Sequence, residues 1–286
     1  MSLKQTIVIA SGGDGDSQAL GLAGSLARQH GGAVSILPAY PDTAADMIAL
    51  GITLGASLSR EAVEELVAAE HDLHLRIETA ARAAADAADV VFGPGEGAPR
   101  ISVLSRGLRP GLALSRHVAI SDLVVFGQGH LDCGVGPDLF SRCLLSDRAP
   151  VLVARHDADS LSGPAAIAWD GSPQAGRAVK AALPLLAMAS EIHVIQCVTG
   201  LDRDATDPDI DSLNAYLKLH GVGEGVSVLV EGHDEGAALI AAAQGRSATL
   251  LVAGAWGHSR LREAVFGGAT RAFLRCKSGP NLLLTH

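Results

Sequence analysis

Two glycine-rich stretches are the places where this chain could do chemistry through its backbone. The first, Ser11-Gly12-Gly13-Asp14-Gly15-Asp16-Ser17, follows the apolar run "IVIA". In the second, Gly254, Gly257 and Gly267 follow "TLLVA" with the spacing G-x2-G-x9-G. A glycine at the carboxyl end of a parallel strand lets the chain turn sharply and lets a ligand approach its backbone. A further glycine where the next helix begins leaves bare N–H groups aimed at an anion, for which phosphate is the fitting group. Asp170, in "WDGS" after the apolar run "AAIA", adds a carboxylate at another strand end. Other groupings are less specific. His71 and His74, with Glu70, Asp72 and Glu78 around them, could hold a metal but equally fit a solvated helix face. Arg260 could reach a phosphate or be a surface charge. No G-x-S-x-G elbow occurs, and no nucleophile–base pair stands out.

The elements that position these residues occur twice. Residues 5–40 and 164–199 each read as an apolar strand, a small-residue turn, an amphipathic helix and a second apolar strand. Residues 120–154 and 247–285 correspond as well, Gly127 falling on Gly254. The offset is 159 for the first match (Ala19 to Ala178) and 127 for the second, so the first half carries about 32 extra residues. They fit 57–89, where Val63, Leu66, Val67 and Ile77 recur at roughly helical spacing. In the second copy the pattern predicts strands near 165–169, 191–198, 226–230, 249–254 and 281–285. Helices should start near Pro173, Asp209, Asp234 and Thr270. Pro173 suits a first helical turn, and Asp234 can cap the helix after it. Strand–helix alternation of this kind makes mostly parallel α/β sheets, and the polar segment 155–164 reads as a linker.

The bulk properties agree. The 286 residues are 48% hydrophobic and 19% charged, as expected of a globular chain of one or two domains. Aromatics supply only 3%, so the core must be built from Ala, Val, Leu and Ile. A net charge of −9 argues against nucleic-acid partners, which call for a basic stripe. No leader pattern and no apolar run of membrane-spanning length is read. Cys133, Cys143, Cys197 and Cys276 form no CxxC pair or ligand spacing and fit reduced, buried thiols of a cytoplasmic protein.

The G-x2-G-x9-G loop, the "WDGS" turn and the flanking "AWGHSRLREAVFGGATRAFL" together resemble the universal stress protein family. The likeness covers nearly the whole chain in tandem form and is closest over 164–286. It implies two tandem flavodoxin-like (adenine-nucleotide alpha-hydrolase-like) domains, 1–155 and 156–286. Each would be a mostly parallel five-stranded sheet flanked by helices. It also implies ATP or AMP, with magnesium, as ligand of the second domain. Carried over, Asp170 sits beside the adenine or ribose, and Val198 offers backbone groups to the base. Ala253 and Gly254 floor the pocket, and Trp256 and Gly257 flank the ribose and phosphates. Gly267, Gly268 and Ala269 present amides to the phosphates. The family pattern has Ser or Thr where Gly268 stands, which removes one hydrogen bond unless Thr270 replaces it. Family subunits pair through their last strands, so Val151–Ala154 and Leu282–Thr285 are expected to pair within the chain as a pseudo-dimer; a homodimer stays open.

The first copy departs further. Ser11 falls on the position of Asp170, His130 on the second glycine and Phe140 on the third. A degenerate site is expected, with Phe140 blocking the phosphate approach. The loop 11–17 also resembles the SGGxDS loop of ATP pyrophosphatases with one residue too many. In that reading Ser11, Gly12, Gly13 and Ser17 surround pyrophosphate and Asp16 helps hold magnesium. The extra residue turns the helix-start serine by about 100°. Three functions therefore stand side by side: an adenine-nucleotide-binding module of the stress response, a scaffold for a protein or apolar ligand, and an ATP-cleaving enzyme.

Overall fold

The computed structural model describes residues 3–40, 60–97, 99–104, 110–132, 134–201, 204, 206–255 and 268–286. The chain divides into two compact units, Lys4–Cys143 and Leu144–His286, with Leu3 grouped with the latter.

The first unit runs β1 (Gln5–Ala10), α1 (Asp16–His30), β2 (Ala33–Pro38), α2 (Arg60–Ala88), β3 (Val91–Phe92) and β4 (Arg100–Val103). It continues with α3 (Pro110–Val118), β5 (Leu123–Gly127) and α4 (Gly136–Ser141). Its strands lie in the order β3-β4-β2-β1-β5, every described pair parallel. β1 lies between β2 and β5, and Ile7, Val8 and Ile9 are fully buried, as a strand covered on both faces requires. The extra residues of the first half are helical over 60–88, as their spacing predicts. α2 packs on α1 through small and branched side chains such as Ile77, Ala81 and Ala85, all inaccessible to solvent.

The second unit contains β6 (Val151–Ala154), β7 (Ala165–Ala168), α5 (Pro173–Leu186), β8 (Ile192–Cys197) and α6 (Ile210–Leu219). It is completed by β9 (Gly225–Val230), α7 (Glu235–Gly245), β10 (Leu250–Gly254), α8 (Gly268–Arg275) and β11 (Asn281–Thr285). The strand order is β6-β11-β10-β7-β8-β9. All five repeat strands fall within about a residue of their expected bounds. The helix starts follow local chemistry. Ser172 accepts from the Ala175 amide at 3.2 Å, Asp209 from Ser212 at 2.9 Å and Asp234 from Ala237 at 3.0 Å, each satisfying a free helix-start donor. α6, at ten residues, occupies the place that the 29-residue α2 takes in the first unit. The 19-residue difference between these helices accounts for more than half of the added length of the first half.

Among the described strand pairings, the antiparallel one joins β6 to β11, with Leu282 opposite Val153 and Leu284 opposite Val151. This is the pairing expected between the last strands of the two repeats. Arg155, just past β6, is buried and donates to the carbonyls of Phe273 (2.7 Å) and Pro280 (2.9 Å). Asn281 accepts from the amides of Arg155 (2.8 Å) and His156 (3.1 Å). Burial lowers the Arg155 pKa to about 10, with the neighbouring Cys276 sulfur acting in the opposite direction. Cys143 and Cys197 are buried free thiols and Cys276 is a half-buried one; Cys133 lies outside the described residues. Among the described residues no helix is long and apolar enough to cross a membrane.

Replacing Arg155 by Ala leaves two buried carbonyls without donors, each worth about 1–3 kcal/mol. Urea denaturation of Arg155→Ala should show a loss of about 2–4 kcal/mol. Arg155→Lys should recover only part of it, because a single ammonium cannot reproduce the forked geometry.

Candidate functional site

In the second unit, the carboxyl ends of β7, β8 and β10 open into a cleft of about 240 Å³. Ala168, Ala253 and Gly254 line it from the strand ends, with Ile195 and Cys197 from β8. Trp169, Asp170 and Ser172 come from the first turn, Glu235 and Leu239 from α7, and Gly268, Ala269, Thr270 and Phe273 from α8. The amino-terminal turn of α8 therefore faces the turn that carries the carboxylate, an arrangement suited to an anionic group. The volume falls below the roughly 300–1,000 Å³ of pockets that enclose a drug-sized ligand.

The first turn is held from two sides. Asp170 accepts from the Ser172 amide through Oδ1 (2.9 Å), and its carbonyl accepts from the Thr206 hydroxyl (2.8 Å). Gln196 on β8 anchors the same neighbouring segment by donating to the Pro208 carbonyl at 2.7 Å. Gly254 is required for packing as well as for the floor. A Cβ there would lie 2.6 Å from the Ala175 amide nitrogen and 2.8 Å from the Gln174 Cβ, so α5 could not seat on β10. At Gly268 a Cβ would meet nothing within 4 Å among the described residues.

Of the residues expected at the site, Asp170, Ala253, Gly254, Gly268 and Ala269 meet around the cleft. Thr270, considered as a substitute hydroxyl, lines it too. Val198 is not among the lining residues; it begins a short 3-10 turn after β8 and is exposed. Trp256, Gly257 and Gly267 lie outside the described residues. Sequence reasoning missed Trp169, Ser172, Glu235 and Phe273. The first two flank Asp170 in "WDGS" and were within reach of that motif. Glu235 and Phe273 arrive from remote helices and carry no local signal. The indole Nε1 of Trp169 is buried with no hydrogen-bond partner among the described residues.

The first unit handles the same position differently. Asp16, 2% exposed, reaches back from the start of α1 and accepts from the Ser11 amide (3.0 Å) and the Gly12 amide (2.8 Å). His130, 5% exposed, lies 2.6 Å from the same carboxylate through Nε2, while its Nδ1 accepts from the Gly127 amide at 3.3 Å. Because Nδ1 is an acceptor, Nε2 carries the proton and donates to Asp16. A Cβ on Gly127 would run into the Gly15 carbonyl, so the loop and the end of β5 close on each other. The anion position is therefore filled by the protein's own carboxylate. This corrects the expectation that Phe140 is the block. Its ring turns into the core and packs edge-on against Phe126, with centroids 5.6 Å apart. It also opposes the pyrophosphatase reading. The Ser11 and Gly12 amides that would hold pyrophosphate already bind Asp16, and Asp16 is held by amides and imidazole.

The histidine pair of α2 lies on a polar face, where His74 approaches Glu78 at 3.7 Å and Arg76 pairs with Asp72 at 2.6 Å. Among the described residues no group of three His, Cys, Asp or Glu side chains is placed to hold a metal ion.

Residues 164–277 match the family model described as Universal stress protein family. Among solved structures, a universal stress protein from Archaeoglobus fulgidus DSM 4304 is similar at a TM-score of 0.65 and 16% identity. That match covers 99% of this chain and 96% of that one. A functionally unknown protein from Pseudomonas aeruginosa PAO1 gives a TM-score of 0.53 at 13% identity, covering 99% and 92%. At these identities the likeness is one of fold: both chains are matched over nearly their full length, as the tandem flavodoxin-like arrangement requires. No curated protein sequence matches this chain.

Removal of the Asp16 carboxylate strands two amides and an imidazole N–H in the interior. Asp16→Ala should lose about 3–5 kcal/mol of stability, since each buried donor left without an acceptor costs about 1–3 kcal/mol. Thermal and urea unfolding followed by circular dichroism would measure it.

Proposed function

We propose that the universal stress protein domain at residues 164–277 is an adenine-nucleotide-binding regulatory module acting in a cytoplasmic stress response. The observation that supports this most is the convergence, from separate segments of the chain, of Asp170, Ala253, Gly254 and the first amides of α8 on one cleft. The Asp170 carboxylate is the group to accept from a ribose hydroxyl or an adenine amine, and the α8 amides suit phosphate oxygens. ATP or AMP is the ligand, and magnesium would arrive with the triphosphate. The scaffold reading is favoured by two other observations, the modest volume of the cleft and the missing hydroxyl at Gly268. It predicts no nucleotide effect on the melting temperature.

Calorimetry on nucleotide-free protein with ATP, ADP and AMP separates the two. Asp170→Asn keeps an acceptor for the Ser172 amide and removes the charge. Nucleotide affinity should fall about tenfold, equivalent to about 1.4 kcal/mol, with little change in melting temperature. A wild-type protein that binds none of the three defeats the proposal.

Gly268→Ser supplies the hydroxyl that the family pattern carries, and no described residue would crowd its Cβ. One added hydrogen bond of about 0.5–1.5 kcal/mol should tighten ATP binding by about two- to tenfold. The same titration on this variant checks it.

A further inference from the structure

The first unit has a cleft of its own, and its chemistry differs from that of the second. It measures about 390 Å³, within the range of small-molecule pockets, and it lies at the carboxyl ends of β1, β2 and β5. We propose that this cleft binds a small, largely apolar molecule that carries no phosphate. The site is distinct from the Asp170 cleft and does not depend on the function proposed there.

Its walls argue for that class. Ile9, Ala39, Tyr40 and Val135 contribute apolar surface, and the Ser11 hydroxyl and glycine peptide groups offer polarity on the loop side. An anion is disfavoured twice. The Ser11 and Gly12 amides and the His130 Nε2–H, the donors that would receive a phosphate, already converge on Asp16. Asp14 on the cleft wall then adds a second carboxylate, and among the described residues no Lys or Arg lines the cavity. Charge in the cleft therefore repels anions, tolerates neutral molecules and attracts amines. A pocket lined mainly by apolar groups with a few placed polar ones is the usual form of a small-molecule site.

The test uses the full chain and two dyes of the same ring system. N-phenyl-1-naphthylamine is neutral, and 1-anilinonaphthalene-8-sulfonate differs from it chiefly by an anionic sulfonate. The neutral dye should bind with one-to-one stoichiometry and at least tenfold more tightly than the sulfonate. Asp14 is exposed, so Asp14→Lys should leave the fold intact and narrow that gap by several-fold. Ala39→Phe, which fills the cavity, should weaken the neutral dye at least tenfold, while Asp170→Asn should leave it unchanged. Should Ala39→Phe fail to fold, amide shifts of Gly13, Gly15 and Gly129 on adding the neutral dye to the wild type locate the site directly. The proposal is overturned if the neutral dye does not bind, or if the sulfonate binds as well as it does. Shifts confined to other residues, or undiminished binding by a folded Ala39→Phe protein, overturn it too.

Discussion

A backbone N–H buried at the start of a helix must find an acceptor, and this constraint organises both units. Each places its first turn at the end of a central parallel strand, where amides converge and no ladder partner is available. The first unit meets the demand internally. Asp16 lies at the start of α1 and its carboxylate folds back onto Ser11 and Gly12, with His130 as a third donor. In the second unit the turn is satisfied by the short Asp170–Ser172 contact and by Ser172 capping α5. The amides at the start of α8 are left facing a cleft. One fold thus yields a turn closed on its own anion and a turn beside an open one.

Packing in both units follows from the scarcity of aromatic residues. With Ala, Val, Leu and Ile as the main filling, elements approach closely and glycines become necessary where backbone meets backbone. Gly254 lets α5 rest on β10, and Gly127 lets the first loop meet β5. These positions resemble ligand-facing glycines in sequence, yet their first duty is packing. Gly268 differs, since no described residue comes within 4 Å of a Cβ placed there, so the chemistry of the second cleft can change at this position without disturbing the described core. At the far side of the second unit, Arg155 fastens β6 and α8 to β11 through two carbonyls, so the antiparallel pairing has polar anchoring beside its apolar ladder.

The repeat, the strands and most helix starts were legible because they depend on local chemistry. Apolar runs of five or six residues, a proline in a first turn and Asp or Ser caps act within a few residues of themselves. The helical nature of 60–88 was legible for the same reason. What that helix replaces was not: only the topology shows it as the lengthened counterpart of α6. Val198 lies in a short turn after β8 that carries its side chain outward, a course that the apolar run of the strand does not announce. Phe140 was misread as a plug because alignment gives a position and no side-chain direction; the nearby Phe126 ring draws it inward.

By itself the sequence determined that two α/β copies follow one another, where their strands end, and that glycines and acidic residues gather at those ends. Only the tertiary structure decided which amides at those ends meet a carboxylate of the protein itself. His130 lies 114 residues from Asp16, and α8 reaches the Asp170 turn from the far end of its unit. Whether an amide meets a side chain of its own protein is settled by contacts between segments distant in the chain. No local pattern encodes such contacts, because their energy exists only once the sheet has brought the strand ends together.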